Sequence, residues 1–246
     1  MTPAELAALL GLPELDEALA AVETMLDDTL SVERPEIETP ARRVVLGGGK
    51  RLRPTMSLAC AAAASGDEAA TIDPMVVAGA TAVELVQAGS LVHDDIMDSA
   101  DERRGVPTVN AVEGPDHALL VGDYLLARAG QLAAGISAEA AGYLATAITD
   151  LCVGQSAEVS TLFDAGRDTD AYMTSITGKT AALFRASCEI GAAAIGAGQD
   201  ATRALARYGT EFGLAFQIVD DVLDLVSTEE ALGKPAGHDL EEGVYT

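Results

Sequence analysis

Apolar residues recur along this chain every three to four positions, almost without interruption. Leu6, Leu9 and Leu10, then Leu19, Val22 and Met25, mark an amphipathic stretch over residues 3–30, broken once by a Gly-Leu-Pro turn at Gly11 to Pro13. The same period predicts helices over about 39–47, 54–65, 73–98, 116–134, 137–162, 168–195 and 199–227, divided by short turns such as Ser65-Gly66-Asp67 and Gly196-Ala197-Gly198. No segment alternates in the manner of a strand or hairpin. Long helices with short connections become antiparallel neighbours, so the expected fold is all-α, an antiparallel helical bundle around a deep central cavity. No Pro/Gly/Ser-rich linker divides residues 1–246, which favours a single domain.

Composition sharpens this picture. Hydrophobic residues make up 49% of the chain but aromatics only 4%, which suits close packing of small helix faces better than a β-sandwich. The net charge of −24, from 39 acidic against 15 basic residues, argues against a nucleic-acid-binding or anionic-membrane surface. Without a basic amphipathic helix there is no support for stable membrane anchoring. Met1-Thr2-Pro3 lacks a basic leader, and charges interrupt the Ala/Leu-rich stretches before the ~18 apolar residues of a spanning helix, so a cytoplasmic protein is expected. Cys60, Cys152 and Cys188 are odd in number and widely spaced, as free thiols are. The acid-rich, lysine-poor composition fits either a salt-adapted protein or a genome that replaces lysine by arginine. Only three lysines occur, and each adjoins a glycine: Lys50, Lys179 and Lys234.

The chemistry resides in one pattern that appears twice. Asp94, Asp95 and Asp98, and again Asp220, Asp221 and Asp224, read Asp-Asp-x-x-Asp. On a helix, positions i, i+1 and i+4 share about a third of the circumference, so each motif gathers three carboxylates on one face. Their mutual repulsion, next to the apolar segments Leu91-Val92 and Phe216 to Val219, is relieved by a cation. All-oxygen ligand sets suit hard ions such as Mg²⁺, which take one or two carboxylates and complete their shell with water and substrate phosphates. The positive counterpart is Gly47-Gly48-Gly49-Lys50-Arg51-Leu52-Arg53-Pro54. Its glycines allow backbone N–H groups close to an anion, though a plain loop-to-helix junction accounts for them equally well. Arg103 and Arg104, just past the first motif, read either as anion ligands or as a neutralising salt bridge.

In order along the chain, Gly-Gly-Lys-Arg-Leu-Arg-Pro, Leu-Val-His-Asp-Asp-Ile-Met-Asp with Arg103-Arg104-Gly105, Gly178-Lys179-Thr180, Phe216-Gln217-Ile218 with the second aspartate motif, Gly233-Lys234 and Gly237-x-Asp239-Leu240 resemble the trans-prenyltransferases, the isoprenyl or polyprenyl diphosphate synthases. The resemblance, closest to geranylgeranyl and polyprenyl diphosphate synthases, implies head-to-tail condensation of isopentenyl diphosphate with an allylic diphosphate, with three Mg²⁺ ions per active site. It implies Asp94, Asp98 and Asp220 as direct metal ligands, with Asp95, Asp221 and Asp224 completing the shell through waters or added contacts. Arg103, Lys179 and Lys234 would hold the allylic diphosphate, and Lys50, Arg53 and Arg104 isopentenyl diphosphate. Gln87 stands where many bacterial members carry histidine and would contact isopentenyl diphosphate through its amide. Lys179, Thr180 and Gln217 form the implied catalytic group, the Thr180 and Gln217 oxygens facing the developing cation.

The family usually continues for several helices past the point where this chain stops, at Thr246, and a non-catalytic subunit of a heteromeric synthase is the alternative reading. A terpene cyclase would carry a different second metal motif, and a di-metal carboxylate bundle would need Glu-x-x-His pairs. The family is mostly homodimeric, and residues 73–98 and 116–134 offer weakly polar faces for such a contact. Upstream of Asp94 lie Gly89 and Ser90, then Val86, then Ala82 and Val83, then Ala78 and Gly79, with no aromatic residue from Met75 to His93. One helical turn advances ~5.4 Å, about one isoprene unit. Short-chain members often place Phe or Tyr at the positions of Gly89 and Ser90, so the expected product is C20 or longer.

Overall fold

The computed structural model describes residues 8–103, 105–226, 240 and 243–245. Within them the chain is a helical bundle. Its elements are α1 (Leu15–Thr29), α2 (Pro35–Leu46), α3 (Leu52–Ser65), α4 (Pro74–Met97), α5 (Val109–Glu113), α6 (Pro115–Ile136), α7 (Ala138–Val159), α8 (Thr169–Ile176), α9 (Ala182–Ala194) and α10 (Gln199–Val226). Local chemistry sets several of these starts. Pro35, Pro74 and Pro115 occupy first-turn positions where no N–H is needed. Asp73, Thr108, Ser137 and Asp168 cap their helices by accepting from Met75, Ala111, Ala140 and Ala171 N–H groups.

Three features depart from the sequence expectation. Helix α2 begins at Pro35 rather than near residue 39, because Glu36 and Glu38 form a polar first turn that carries no apolar period. A two-stranded antiparallel ribbon, β1 (Glu102–Arg103) with β2 (Val106–Pro107), follows the first aspartate motif and turns at Gly105, whose φ is +72°. The long helix expected over 168–195 is interrupted: Thr177–Ala181 forms a π turn between α8 and α9.

Helix α4 is the spine of the bundle. It packs along α6 and also meets α1, α3 and α9. Contrary to the sequence reading, it is long and apolar enough to cross a membrane by length and composition, but it is buried inside the bundle. Its mid-helix acidic residue, Glu84, is buried and accepts from Arg51 Nη1 at 2.7 Å. The Arg51 guanidinium also donates to Glu23 at 2.5 and 3.1 Å and to the Val45 carbonyl at 2.8 Å. Arg51 adopts φ +48°, unusual for a residue with a side chain, and these bonds hold it there. Of the two segments expected to form a subunit contact, α4 exposes large apolar residues only at its ends, Met75 and Met97, whereas α6 presents the adjacent pair Leu119 and Leu120.

Glu84→Gln should destabilise the fold by about 3 kcal/mol, the low end for breaking a buried pair, since Glu23 and the Val45 carbonyl still engage Arg51. Urea unfolding checks this, and a loss under 1 kcal/mol contradicts the role given to the pair.

Candidate active site

The two aspartate motifs lie at the ends of α4 and α10 and face a common cavity of about 560 Å³. Asp98, Asp220 and Asp221 line it, together with Glu158, Tyr172, Lys179, Thr180 and Gln217. Lys179 and Thr180 reach this wall because they sit on the π turn, where an extra residue per turn re-aims side chains. The turn seats directly on α7: a Cβ on Gly154 would stand 2.4 Å from the Lys179 nitrogen, and one on Gly178 2.5 Å from the Asp150 carbonyl oxygen. Only glycine at both positions permits that approach.

Within each motif the aspartates differ. Asp95 is buried, and its Oδ1 accepts from Arg103 Nε at 2.6 Å; the ribbon turn presents that arginine. Asp221 is also buried and both its oxygens are engaged, Oδ1 by Gln217 Nε2 at 2.7 Å and Oδ2 by the Tyr172 hydroxyl at 2.6 Å. Asp224 is buried as well. Asp98 and Asp220 are exposed to the cavity. Burial pushes the Asp94 carboxyl up to about 6; Lys179 and Arg103 oppose this, and the like charges of Asp98 and Glu158 add to it.

Lys179 donates to Glu158 Oε1 at 2.5 Å. Burial works against its charge, but Glu158 and then Asp94 and Asp98 more than offset it, so the ammonium is held above the ordinary lysine value. Thr180 Oγ1 donates to Gln217 Oε1 at 2.6 Å, placing the two residues read as a cation-facing pair in direct contact. Lys50 is exposed on the loop before α3, and the Arg53 guanidinium lies 4.5 Å from the Phe184 ring centroid. These two residues and Gln87, partly buried on α4, lie off the main cavity wall. The glycine loop nonetheless borders the first motif, since Gly47, Gly48, Asp95 and Arg103 share a small recess. Arg104, Lys234 and the Gly237-x-Asp239 part of the C-terminal motif lie outside the described residues.

Glu158, Tyr172 and Gln155 carry no weight in the sequence reading, yet all three line the cavity. The only sequence signal for them is spacing: Glu158 lies one helical turn past Gly154, the glycine that meets the Lys179 backbone. His93 packs its ring on Gly122, with Nε2 3.3 Å from the Leu119 carbonyl oxygen, and so braces α4 against α6.

An apolar recess of about 360 Å³ adjoins the main cavity through Met97, Gln155 and Val159. One face of α4 lines it, Val86, Ser90, His93, Asp94 and Met97, opposite Leu126, Ile148 and Leu151. Gly89 does not contribute, contrary to its place in the sequence argument. It faces α6, where a Cβ would lie 3.1 Å from the Gly122 carbonyl oxygen and 3.3 Å from Leu125 Cβ.

Among the described residues no group of three or more acidic, histidine or cysteine side chains converges on one point to cage a metal. A hard divalent cation takes one or two protein carboxylates and completes its shell with water and phosphate oxygens, so it does not require a closed cage of side chains.

In metal-free buffer, Asp94→Asn should be more stable than the parent above pH 6. The folded-state value lies above the ordinary carboxyl value, so the native chain binds the extra proton between about pH 4 and 6, and parental stability falls as pH rises through that window. The difference should vanish below about pH 4. Urea unfolding at a series of pH values with chelator decides it, and a pH-independent difference refutes it.

The sequence matches the family described as Polyprenyl synthetase over residues 34–246. It is 38% identical over 233 residues to heptaprenyl diphosphate synthase component 2 of Geobacillus stearothermophilus, covering 94% of this chain and 71% of that protein. Geranylgeranyl diphosphate synthase of Methanosarcina mazei is 37% identical over 240 residues, 95% of this chain and 72% of its own. The crystal structure of a decaprenyl diphosphate synthase from Rhodobacter capsulatus superposes with a TM-score of 0.87 at 35% identity, over 100% of this chain and 73% of that one. The chain therefore has the all-α isoprenoid synthase fold and belongs to the polyprenyl synthetase family of divalent-metal-dependent prenyltransferases.

Proposed function

We propose that this protein condenses isopentenyl diphosphate with an allylic diphosphate in the presence of Mg²⁺ to give an all-trans prenyl diphosphate of C20 or more. The observation that carries this is the junction of two unlike spaces, a polar cavity between the aspartate motifs and an apolar recess opening from it along α4. One receives a diphosphate, the other a hydrocarbon tail.

Asp94, Asp98 and Asp220 would hold Mg²⁺, three ions per site, which when bound neutralises the diphosphate and makes it a better leaving group. Lys179, kept charged by Glu158, adds a fixed positive charge beside the allylic diphosphate, with Arg103 and Lys234 as its further ligands. Lys50, Arg53, Arg104 and Gln87 would bind isopentenyl diphosphate; Arg51, spent on Glu23 and Glu84, supports their loop without contacting substrate. The allylic C1–O bond breaks, the isopentenyl double bond attacks C1, and a proton leaves the neighbouring carbon to form the new double bond. Thr180 and Gln217 present neutral oxygens to the cation, which would alkylate or protonate a stronger base.

Product length follows from the recess. Between Asp94 and Val86 lie about two helical turns, roughly 12 Å, with no Phe, Tyr or Trp on the α4 wall, and the His93 ring there is packed against Gly122 of α6. A C20 product, geranylgeranyl diphosphate, is the conservative reading, and a longer chain follows if Leu126, Ile148 and Leu151 yield. The exposed face of α6 supports a homodimer, which light scattering at high salt checks. One relative is named a component 2, which favours a second reading: a subunit, non-catalytic by itself, that works only with a partner of different sequence.

Incubation with labelled isopentenyl diphosphate, allylic primers from C5 to C20 and Mg²⁺ tests the reaction. Butanol-extractable product is expected from the chain alone and none with chelator. No extension by the chain alone, with activity on mixing with a partner subunit, would establish the second reading. Ser90→Phe should shorten the product by one or two C5 units by filling the recess, whereas Gly89→Phe should act chiefly by weakening the α4–α6 contact. Product chromatograms and thermal unfolding of both variants check this, and unchanged length in Ser90→Phe would remove α4 from the chain-length argument.

A further inference from the structure

A hydrogen-bonded chain of four side chains crosses the wall of the cavity: Tyr172, Asp221, Gln217 and Thr180. Its polarity is fixed by one member. An ionised carboxylate only accepts hydrogen bonds, so the group that Gln217 turns toward Asp221 Oδ1, 2.7 Å away, is its NH₂. The amide oxygen is thereby turned to Thr180, whose hydroxyl donates to it at 2.6 Å. The other carboxylate oxygen, Oδ2, accepts from the Tyr172 hydroxyl at 2.6 Å. Every hydrogen in the chain is thus directed toward Asp221. The lone pairs of Thr180 Oγ1 and the second lone pair of Gln217 Oε1 remain for the cavity.

We infer that Tyr172 and Asp221 are positioning residues that lock the Gln217 amide with its oxygen, rather than its NH₂, on the side where positive charge develops. A glutamine amide has nearly the same shape either way round, so packing alone selects weakly between the two orientations, and a reversed amide would direct N–H dipoles at a carbocation. Tyr172 is itself held from outside the chain. Its ring lies beneath the Arg167 guanidinium, 5.7 Å away, and Arg167 donates to the Tyr245 carbonyl at 2.9 Å. In this assignment Asp221 differs in task from its neighbour Asp220, although both belong to one metal-type motif. The benefit to catalysis rests on the prenyl transfer proposed above, while the orientation itself does not.

The chain contains five glutamines, so ¹⁵N-glutamine labelling yields five side-chain amide pairs, and Gln217→Leu identifies the one of interest. In metal-free protein the Gln217 amide should show a downfield, carboxylate-bonded proton. Asp221→Asn should abolish this signature and Tyr172→Phe should shift it. In the assay, Tyr172→Phe should lower kcat about tenfold, the effect of losing one hydrogen bond to a charged group, with KM for both diphosphates and the Mg²⁺ requirement changed less than about twofold. In a Gln217→Leu background the same substitution should have no further effect, because its influence passes through the amide. A Gln217 signal unmoved in both single variants overturns the inference, as does a tenfold loss that persists undiminished in the Gln217→Leu background. If the signature is present but the parent makes no product with any primer, the orientation stands and the proposed reaction fails. If the parent is active without the signature, the reverse holds.

Discussion

A buried carboxylate needs a proton, a cation or donors, and this bundle supplies a different answer for each aspartate it half buries. Arg103 satisfies Asp95, and Tyr172 and Gln217 satisfy Asp221. Asp98 and Asp220 are left facing the cavity, and Asp94 is left with an elevated affinity for protons. Two motifs of identical sequence pattern are therefore divided internally, one side chain serving as structure while its neighbour stays available. The division lowers the cost of burying them: Asp95 faces a guanidinium, and Asp221 keeps its charge but has each oxygen engaged by a neutral donor.

Geometry at the backbone makes this possible. The contact of Gly154 with Gly178 brings α7 and the π turn closer than any side chain permits, and it places Glu158 within hydrogen-bonding distance of Lys179. A lysine carried on a regular helix at that point would point elsewhere. Similar close approaches, such as Gly213 against Ala181, dock α10 on the other side of the turn and set Gln217 beside Thr180. The scarcity of aromatic residues and the abundance of alanine and glycine are thus part of the site's construction as much as of the core's.

Much of this was legible in the sequence because it is local. Helical period, proline starts and the repeated aspartate spacing need only neighbours along the chain. What was not legible depends on partners distant in sequence. Gly89 reads as a lining position until Gly122 and Leu125 are seen to occupy the space before it. Tyr172 and Glu158 lie outside every motif, and only the fold brings them to Asp221 and Lys179. The π turn has no compositional mark, since Thr177 to Ala181 would continue an α-helix equally well; its cause is the docking against α7.

Glu84 has a meaning beyond the folded state. Helix α4 precedes α6 in the chain, so during synthesis its apolar length emerges before α6 exists to cover it. An acidic side chain near the centre of such a segment opposes insertion into a bilayer by about 2.5–3.5 kcal/mol, and α4 carries one such residue near its midpoint. The carboxylate that later fastens Arg51 thus also makes the uncovered segment less favourable in lipid, so one side chain acts both before and after the bundle closes.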